Sequence, residues 1–422
     1  MSDHAAVAAA IADAHRREWT RVLAATVRVA GDLDLAEECV QEAYAAALRG
    51  WPRDGVPSSP AAWLTTTARR RAVDALRRAG TLRSKLPLLV EPEESVTDAR
   101  DDGADAVPDD RLRLIFTCCH PALAQEAQVA LTLRLVCGVP TPDVAKAFLV
   151  PETTMAARVT RAKKKITGAR IPYRVPRPAE LPDRLRAVLA VVHLLFTTGH
   201  TAPSGPDLVR ADLVDRALHL ARMLHELMPD EPEARGLLAL LLVTDARRAT
   251  RLDDTGRLRR LPEQDRSRWD RAAMAEAHDL IVAGLRGGRA GRYVLQAAIA
   301  SLYAQAPSFD RTDWPQLVTL YDRLLEVWPS PVVALNRTVP LAMAAGLQAA
   351  LAEVERLESD PVLAGYHYLP AVKADLLRRT GQLALARQAY AGALALAANE
   401  TERAFLSEQL AELDPAGRPG LV

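Results

Sequence analysis

Thr154, Arg158, Arg161 and Lys165 recur at i, i+4, i+7 and i+11, which places them on one face of a helix. Met155, Val159, Ala162 and Ile166 repeat that spacing one residue on and form an apolar inner stripe. Short polar side chains near the N-terminal end of such a helix suit base edges, and bases farther along suit phosphates. The competing account is a surface helix with incidental lysines. A second constellation lies in residues 60–78, where Arg69, Arg70, Arg71, Arg77 and Arg78 line one side while Trp63, Leu64, Ala68, Ala72, Val73 and Leu76 face a core. A basic face of this kind releases counterions when it meets a nucleic-acid backbone, although a merely solvated face has the same composition. A third is acidic: Asp34, Glu37, Glu38, Gln41 and Glu42 flank an apolar stripe of Ala36, Val40, Ala43 and Ala47. There is no phosphate loop, GxSxG, HExxH or paired catalytic carboxylate frame, so no enzymatic activity and no cofactor are expected. Cys118-Cys119-His120 lacks the spacing of a zinc site, and His193, His200, His219 and His225 form no convincing set of ligands, so no metal is expected.

The elements that must hold these residues are helices, since apolar residues recur at helical spacing and no sustained period-2 pattern occurs; the fold class is all-α. Asp32 or Asp34 can cap the acidic helix. Residues 109–171 read as a helix–turn–helix. Ala127–Cys137 is helical and apolar, Gly138 ends it, Thr141 caps the next helix with Pro142 at N1, and Pro151 is expected at N1 of the last. Segment 81–108 reads as an acidic linker, and 172–182 as a linker broken by four prolines (172, 176, 178, 182). The 422 residues therefore divide into 1–80, 109–171 and 183–422. Net charge is only +1, but its distribution is uneven. Residues 63–78 hold five arginines against one acid and 151–170 six bases against one acid, while 91–110 hold nine acids against one arginine. No membrane span or signal peptide is legible, and the four cysteines suggest no disulfide framework; a cytoplasmic location is expected.

The order of the pieces carries a resemblance. An acidic GD-x-D-x-AEE-x-x-QE helix, a short Pro/Ser loop and an AWL…ARR-x-x-D-x-LRR helix resemble region 2 of the extracytoplasmic-function (ECF) sigma factors. Val144-Ala145, followed by Thr154, Arg158, Arg161, Ala162, Lys163 and Lys164, resembles their region 4. The resemblance implies a transcription initiation factor that binds core RNA polymerase, at the β′ clamp helices and β flap, and promoter DNA. Asp34, Glu37, Glu38, Gln41 and Glu42 would then face the polymerase. Arg69, Arg70, Arg77 and Arg78 would hold the −10 strand, and the loop Trp51–Ser59 would carry base recognition, with Trp63 mainly in the core. Thr153, Thr154, Ala157 and Arg158 would face the −35 major groove, and Arg161, Lys163, Lys164 and Lys165 would contact phosphates. Ala157 departs from the pattern where a longer polar side chain could read a base, and Phe148-Leu149-Val150 replaces a more polar turn.

That resemblance covers residues 1–171. The whole chain resembles a subgroup with a tetratricopeptide-like C-terminal extension. Gly346 and Gly381 lie 35 residues apart, and after Gly381 the residues Ala386, Tyr390 and Ala393 fit the small–aromatic–small register of such a repeat, against the alternative of an irregular helical bundle. The stretch Gly199–Leu213 and the charged stretch Asp245–Asp270 interrupt apolar helices. In the second, Arg247, Arg248, Asp265, Arg266, Arg268 and Trp269 are candidates for an interface with a protein partner, or else belong to a solvent-exposed insertion held by local salt bridges. The expected function is a sigma factor modulated by its own C-terminal helical domain. The alternative is a helix–turn–helix DNA-binding regulator with a tetratricopeptide sensor and no polymerase role.

Overall fold

The computed structural model describes residues 3–85, 109–148, 150–286, 288 and 290–413. Most of the expected acidic linker, including its stretch 91–108, and Leu149 therefore lie outside the described residues. The described residues are all-α, with two isolated β-bridges and no strand. None of their helices is long and apolar enough to cross a membrane. The chain forms two compact units, Met1–Val191 and Val192–Val422, each described by itself.

Unit 1 begins with α1 (Asp3–Ala30), α2 (Leu33–Asp54) and α3 (Pro60–Lys85), which pack on one another. Asp32 is the cap of α2, its Oδ1 accepting from the Leu35 N–H at 2.9 Å. The expected stripe of α2 is buried at Ala36, Val40, Ala43 and Ala47. Two boundaries differ from the sequence reading. Helix α2 continues through Trp51 and Pro52 to Asp54, because Trp51 is buried and Gly55, at φ 82°, closes the last turn onto the Trp51 carbonyl. Helix α3 runs on to Lys85, into the expected linker, since nothing in 81–85 breaks a helix.

Next come α4 (Asp110–Cys118), α5 (Gln125–Leu131), a π-helical turn (Thr132–Val136), α6 (Thr141–Ala147) and α7 (Glu152–Gly168). Pro151 is the N-cap of α7 rather than its first helical residue. Cys118 and Cys119 are buried free thiols, and burial pushes the Cys119 thiol up to about 12. Helix α8 (Leu181–His200) starts with Pro182 in its first turn, where a missing N–H costs nothing, and crosses the boundary between the units.

Unit 2 holds consecutively packed helices: α9 (Ala211–Leu227), α10 (Pro232–Asp245), α11 (Arg271–Arg286), α12 (Arg292–Gln305), α13 (Trp314–Val327), α14 (Pro331–Ala344), α15 (Leu347–Leu357), α16 (Tyr368–Arg379), α17 (Leu383–Leu396) and α18 (Glu400–Glu412). Helices α10 and α12 approach so closely that a Cβ on Gly236 would stand 2.5 Å from the Val294 nitrogen. Gly346 and Gly381, at φ 98° and 79°, open α15 and α17, and Ala386, Tyr390 and Ala393 are buried on α17. The stretch Gly199–Leu213 is tied to α18: buried Asn399 caps that helix and donates to the Asp207 carbonyl at 3.0 Å.

Candidate polymerase and nucleic-acid interface

Helix α7 buries Met155, Val159, Ala162 and Ile166, which fixes the azimuth of its other residues. Thr153, Thr154, Ala157, Arg161, Lys164 and Lys165 are exposed, and Arg158 is half-buried. Among the described residues Arg158, Arg161, Lys164 and Lys165 have no ion-pair partner, so their charges are available to an anion. Thr153 and Thr154 stand in the first turn, with the bases toward the C-terminal end.

Lys163 does not share this face. It follows Ala162 into the interior, where its ammonium donates to Asp34 Oδ1 and Glu37 Oε2, each at 2.7 Å. Burial pulls the ammonium pKa down, but the hydrogen bonds to Asp34 and Glu37 and their charges outweigh it, and the pKa is raised. Glu37 is itself buried and also meets Arg134 of the π turn and the Gln41 amide. So Lys163, expected on phosphate, and Asp34 and Glu37, expected on the polymerase, satisfy one another instead. Sequence spacing missed this because the partners lie 126 and 129 residues apart. Asp34, Glu38, Gln41 and Glu42 remain exposed on α2, Asp34 despite its contact with Lys163, and Glu42 is paired to Arg71.

A second set of contacts joins the same two segments. Trp19 Nε1 donates to the Leu135 carbonyl at 2.9 Å and Thr20 Oγ1 to that of Val136 at 2.5 Å. Those carbonyls end a helix and lack partners within it, which makes them acceptors for side chains of α1. Gly138, at φ 66°, turns the chain directly against Trp19: a Cβ there would lie 2.8 Å from the indole Cγ. The Tyr173 hydroxyl donates to the Ala24 carbonyl at 2.8 Å. Arg134, Trp19, Thr20 and Tyr173 were not legible as contact residues, because nothing local distinguishes them.

On α3, Leu64, Ala68 and Ala72 are buried, Trp63 and Val73 are half-buried, and Leu76 is 41% exposed, a departure from its expected place in the core. Arg70, Arg77 and Arg78 are exposed, while Arg69 is half-buried with Nε 3.4 Å from the Ala25 carbonyl. Arg69, Arg21 and Arg28 line one groove of about 520 Å³, together with Thr65, Thr66 and Asp110. The Trp63 ring meets Trp51 edge-on at 5.6 Å. The loop left for base contacts is thus 55–59, shorter than expected.

The C-terminal candidates divide. Trp269 is buried with Nε1 on Thr250 Oγ1 at 2.9 Å; Arg266 lies over its ring and donates to the Tyr303 and Ala306 carbonyls. Arg248 pairs with Asp245 and Asp215, and Arg247 reaches inward. Trp269, Arg266 and Arg248 hold the stretch 245–270 in place within unit 2. Only Asp265 and Arg268 are exposed, Asp265 closing a turn with Ser267.

Comparison with known proteins agrees with this geometry. Residues 13–81 match the family described as Sigma-70 region 2, and residues 113–166 match Sigma-70, region 4. Two segments of the chain are thus similar to the sigma-70 regions 2 and 4. Region 2 therefore contains the acidic face of α2 and the arginines of α3, and region 4 contains α7. Residues 184–284 match a family of unknown function, DUF6596. The chain also belongs to the family of the "Uncharacterized protein R00370" of Rhizobium meliloti (strain 1021), 42% identical over 95% of either chain. It is similar to the ECF RNA polymerase sigma factor SigJ of Mycobacterium tuberculosis (strain ATCC 25618 / H37Rv), 32% identical over 45% of this chain and 65% of SigJ. The probable ECF RNA polymerase sigma factor SigI of Mycobacterium tuberculosis (strain CDC 1551 / Oshkosh) is 29% identical over 40% of this chain and 58% of SigI. No solved structure matches the chain.

Proposed function

We propose that the protein binds core RNA polymerase and directs initiation at promoters with −35 and −10 elements, and that unit 2 modulates this activity. The observation that carries the reading is the exposed face of α7 within region 4, where Thr153 and Thr154 precede the unpaired Arg161, Lys164 and Lys165. Thr153, Thr154, Ala157 and Arg158 face the −35 major groove, with Arg161, Lys164 and Lys165 on its phosphates. Arg70, Arg77 and Arg78, with Arg69 beside them, hold the −10 strand. Asp34, Glu38, Gln41 and Glu42 are the polymerase-facing residues already accessible; Glu37 joins them once Lys163 withdraws. The helix pairs of unit 2, with Gly346 and Gly381 in equivalent turns, support a tetratricopeptide-like module with a regulatory role.

Run-off transcription with core polymerase tests the reading: the full chain directs a defined start on a cognate promoter, and failure to bind core polymerase overturns it. Glu38→Lys with Gln41→Lys separates it from a DNA-binding regulator that has no polymerase role. Core binding falls at least about tenfold while promoter-DNA binding is unchanged; unchanged core binding favours the regulator. The role of unit 2 is read by comparing the full chain with a truncation after Val191, since cutting before α8 would strip the Arg184 guanidinium from the Phe116 carbonyl.

A further inference from the structure

Two arginines of unit 2 are desolvated with no acceptor among the described residues: Arg292, which stacks on Trp328, and Arg247. Arg248 is answered by two carboxylates, Arg251 by the His200 carbonyl and Thr201, Arg257 by Glu408, and Arg266 by two carbonyls. Among the described residues no carboxylate or other acceptor takes the guanidinium of Arg247. Its side chain is half-buried, near the like-charged Arg266 and 5.9 Å from the centre of the Trp269 ring. Burial pushes its pKa down to about 10, so it stays cationic at neutral pH. A guanidinium turned away from bulk water and left uncompensated is unfavourable unless something answers it.

That side chain lines a cavity of about 430 Å³, within the range of small-molecule sites. The remaining wall is aromatic and aliphatic at Tyr303, Tyr321, Trp328, Ile299 and Leu324. The polar lining is uncharged. His193 is held neutral, burial and the Arg292 charge pushing its pKa down to about 4, and Gln296, Asn336 and Thr244 supply neutral donors and acceptors. The net charge of the wall is thus that of Arg247 alone. A second cavity of about 650 Å³ shares Thr197 and Asn336 with the first. His200 lines it, and its buried Nε2 has no hydrogen-bond partner.

We infer that unit 2 is a small-molecule receptor whose cavity takes an organic monocarboxylate with an apolar or aromatic body, the carboxylate forked on Arg247 and the body against Tyr303, Tyr321 and Trp328. A guanidinium matches a carboxylate through two parallel hydrogen bonds, which fixes orientation as well as charge. One cation in an otherwise neutral wall selects a monoanion over a dianion, and the apolar wall selects against inorganic anions. The receptor site stands independently of the promoter reading, because every residue it uses lies in unit 2.

The test uses the full chain and tryptophan fluorescence, since Trp328 forms part of the wall. The probes are 4-phenylbutyrate, 4-cyclohexylbutyrate and octanoate, each beside its primary amide, with inorganic phosphate as a separate arm. At least one acid binds saturably, its amide binds at least about tenfold more weakly, and phosphate does not bind. Arg247→Met abolishes the preference for the acid, and Ala300→Phe, which fills the cavity, abolishes binding of both forms. Equal binding of acid and amide, tighter binding of phosphate, or no saturable signal from any of the three acids overturns the inference. The comparison of acid with amide is made on the unaltered chain, so it stands even where a variant fails to fold.

Discussion

Ala162 and Lys163 are neighbours on α7, and both are buried, but only one of them is apolar. Burying an ammonium is tolerable when its partners are near, and Asp34 and Glu37 each lie 2.7 Å away. Removing Lys163 leaves buried Glu37 with Arg134 as its cationic partner and Asp34 facing solvent, so the contact loses less than the roughly 3–5 kcal/mol of a fully uncompensated buried pair. Lys163→Met is therefore expected to loosen α2 from α7, read as faster amide exchange in the first turns of α2, and to increase binding to core polymerase severalfold. A contact between Lys163 and promoter phosphate in the initiating complex would instead give weaker promoter binding with no change in α2, and that result would sink the account.

At the scale of elements, the π turn and Gly138 decide how region 4 sits on α1. Gly31 and Gly138 both have positive φ, but a Cβ on Gly31 meets nothing within 4 Å, whereas one on Gly138 collides with Trp19 and approaches His15. Gly31→Ala is expected to cost about 1–2 kcal/mol, the left-handed backbone alone. Gly138→Ala adds overpacking of about 1–3 kcal/mol and shifts the Trp19 emission to the red as the ring is displaced. Equal losses of stability in the two variants would show that the packing against Trp19 contributes nothing. The sequence marked Gly138 as a helix stop; that it is also a contact surface depends on α1, more than a hundred residues away.

For the whole molecule, unit 2 carries a pH dependence. Burial, with nearby arginines, depresses His193 to about 4 and His200 to about 2. The charges facing them are Arg292 for His193 and Arg251, Arg247 and Arg248 for His200. Below the unfolded histidine value near 6.5, the unfolded chain takes up protons that the folded one refuses, so stability is full above that pH and falls as the solution is acidified. Between pH 7.5 and 5.5 the loss is up to roughly 3 kcal/mol for the two residues. Glu233 is raised by burial and acts in the opposite sense, so the histidines are isolated by variants. Chemical denaturation of His193→Gln/His200→Gln should show a flatter pH profile than the unaltered chain; the same slope in both would remove the histidines as its cause.

The sequence by itself determined what repeats along one helix: the stripes of α2 and α7, the caps and prolines that bound them, and the all-α class. These are local, because the apolar period and the chain's own breakers set them. It also marked the exposed bases of α7, since the buried stripe fixes where the rest must point. Tertiary structure alone decided the pairing of charges. Lys163 and Lys164 are the same residue type one position apart, and only the nearness of α2 makes the first an internal ion pair and the second a free cation. The stretch 245–270 read as either a protein interface or an exposed charged insertion, yet Arg248, Arg266 and Trp269 are spent on holding it in place, and Arg247 is left facing a cavity whose walls come from helices as distant as α8 and α14. A charge's role follows from which carboxylates come within reach, and that is settled only when the helices pack.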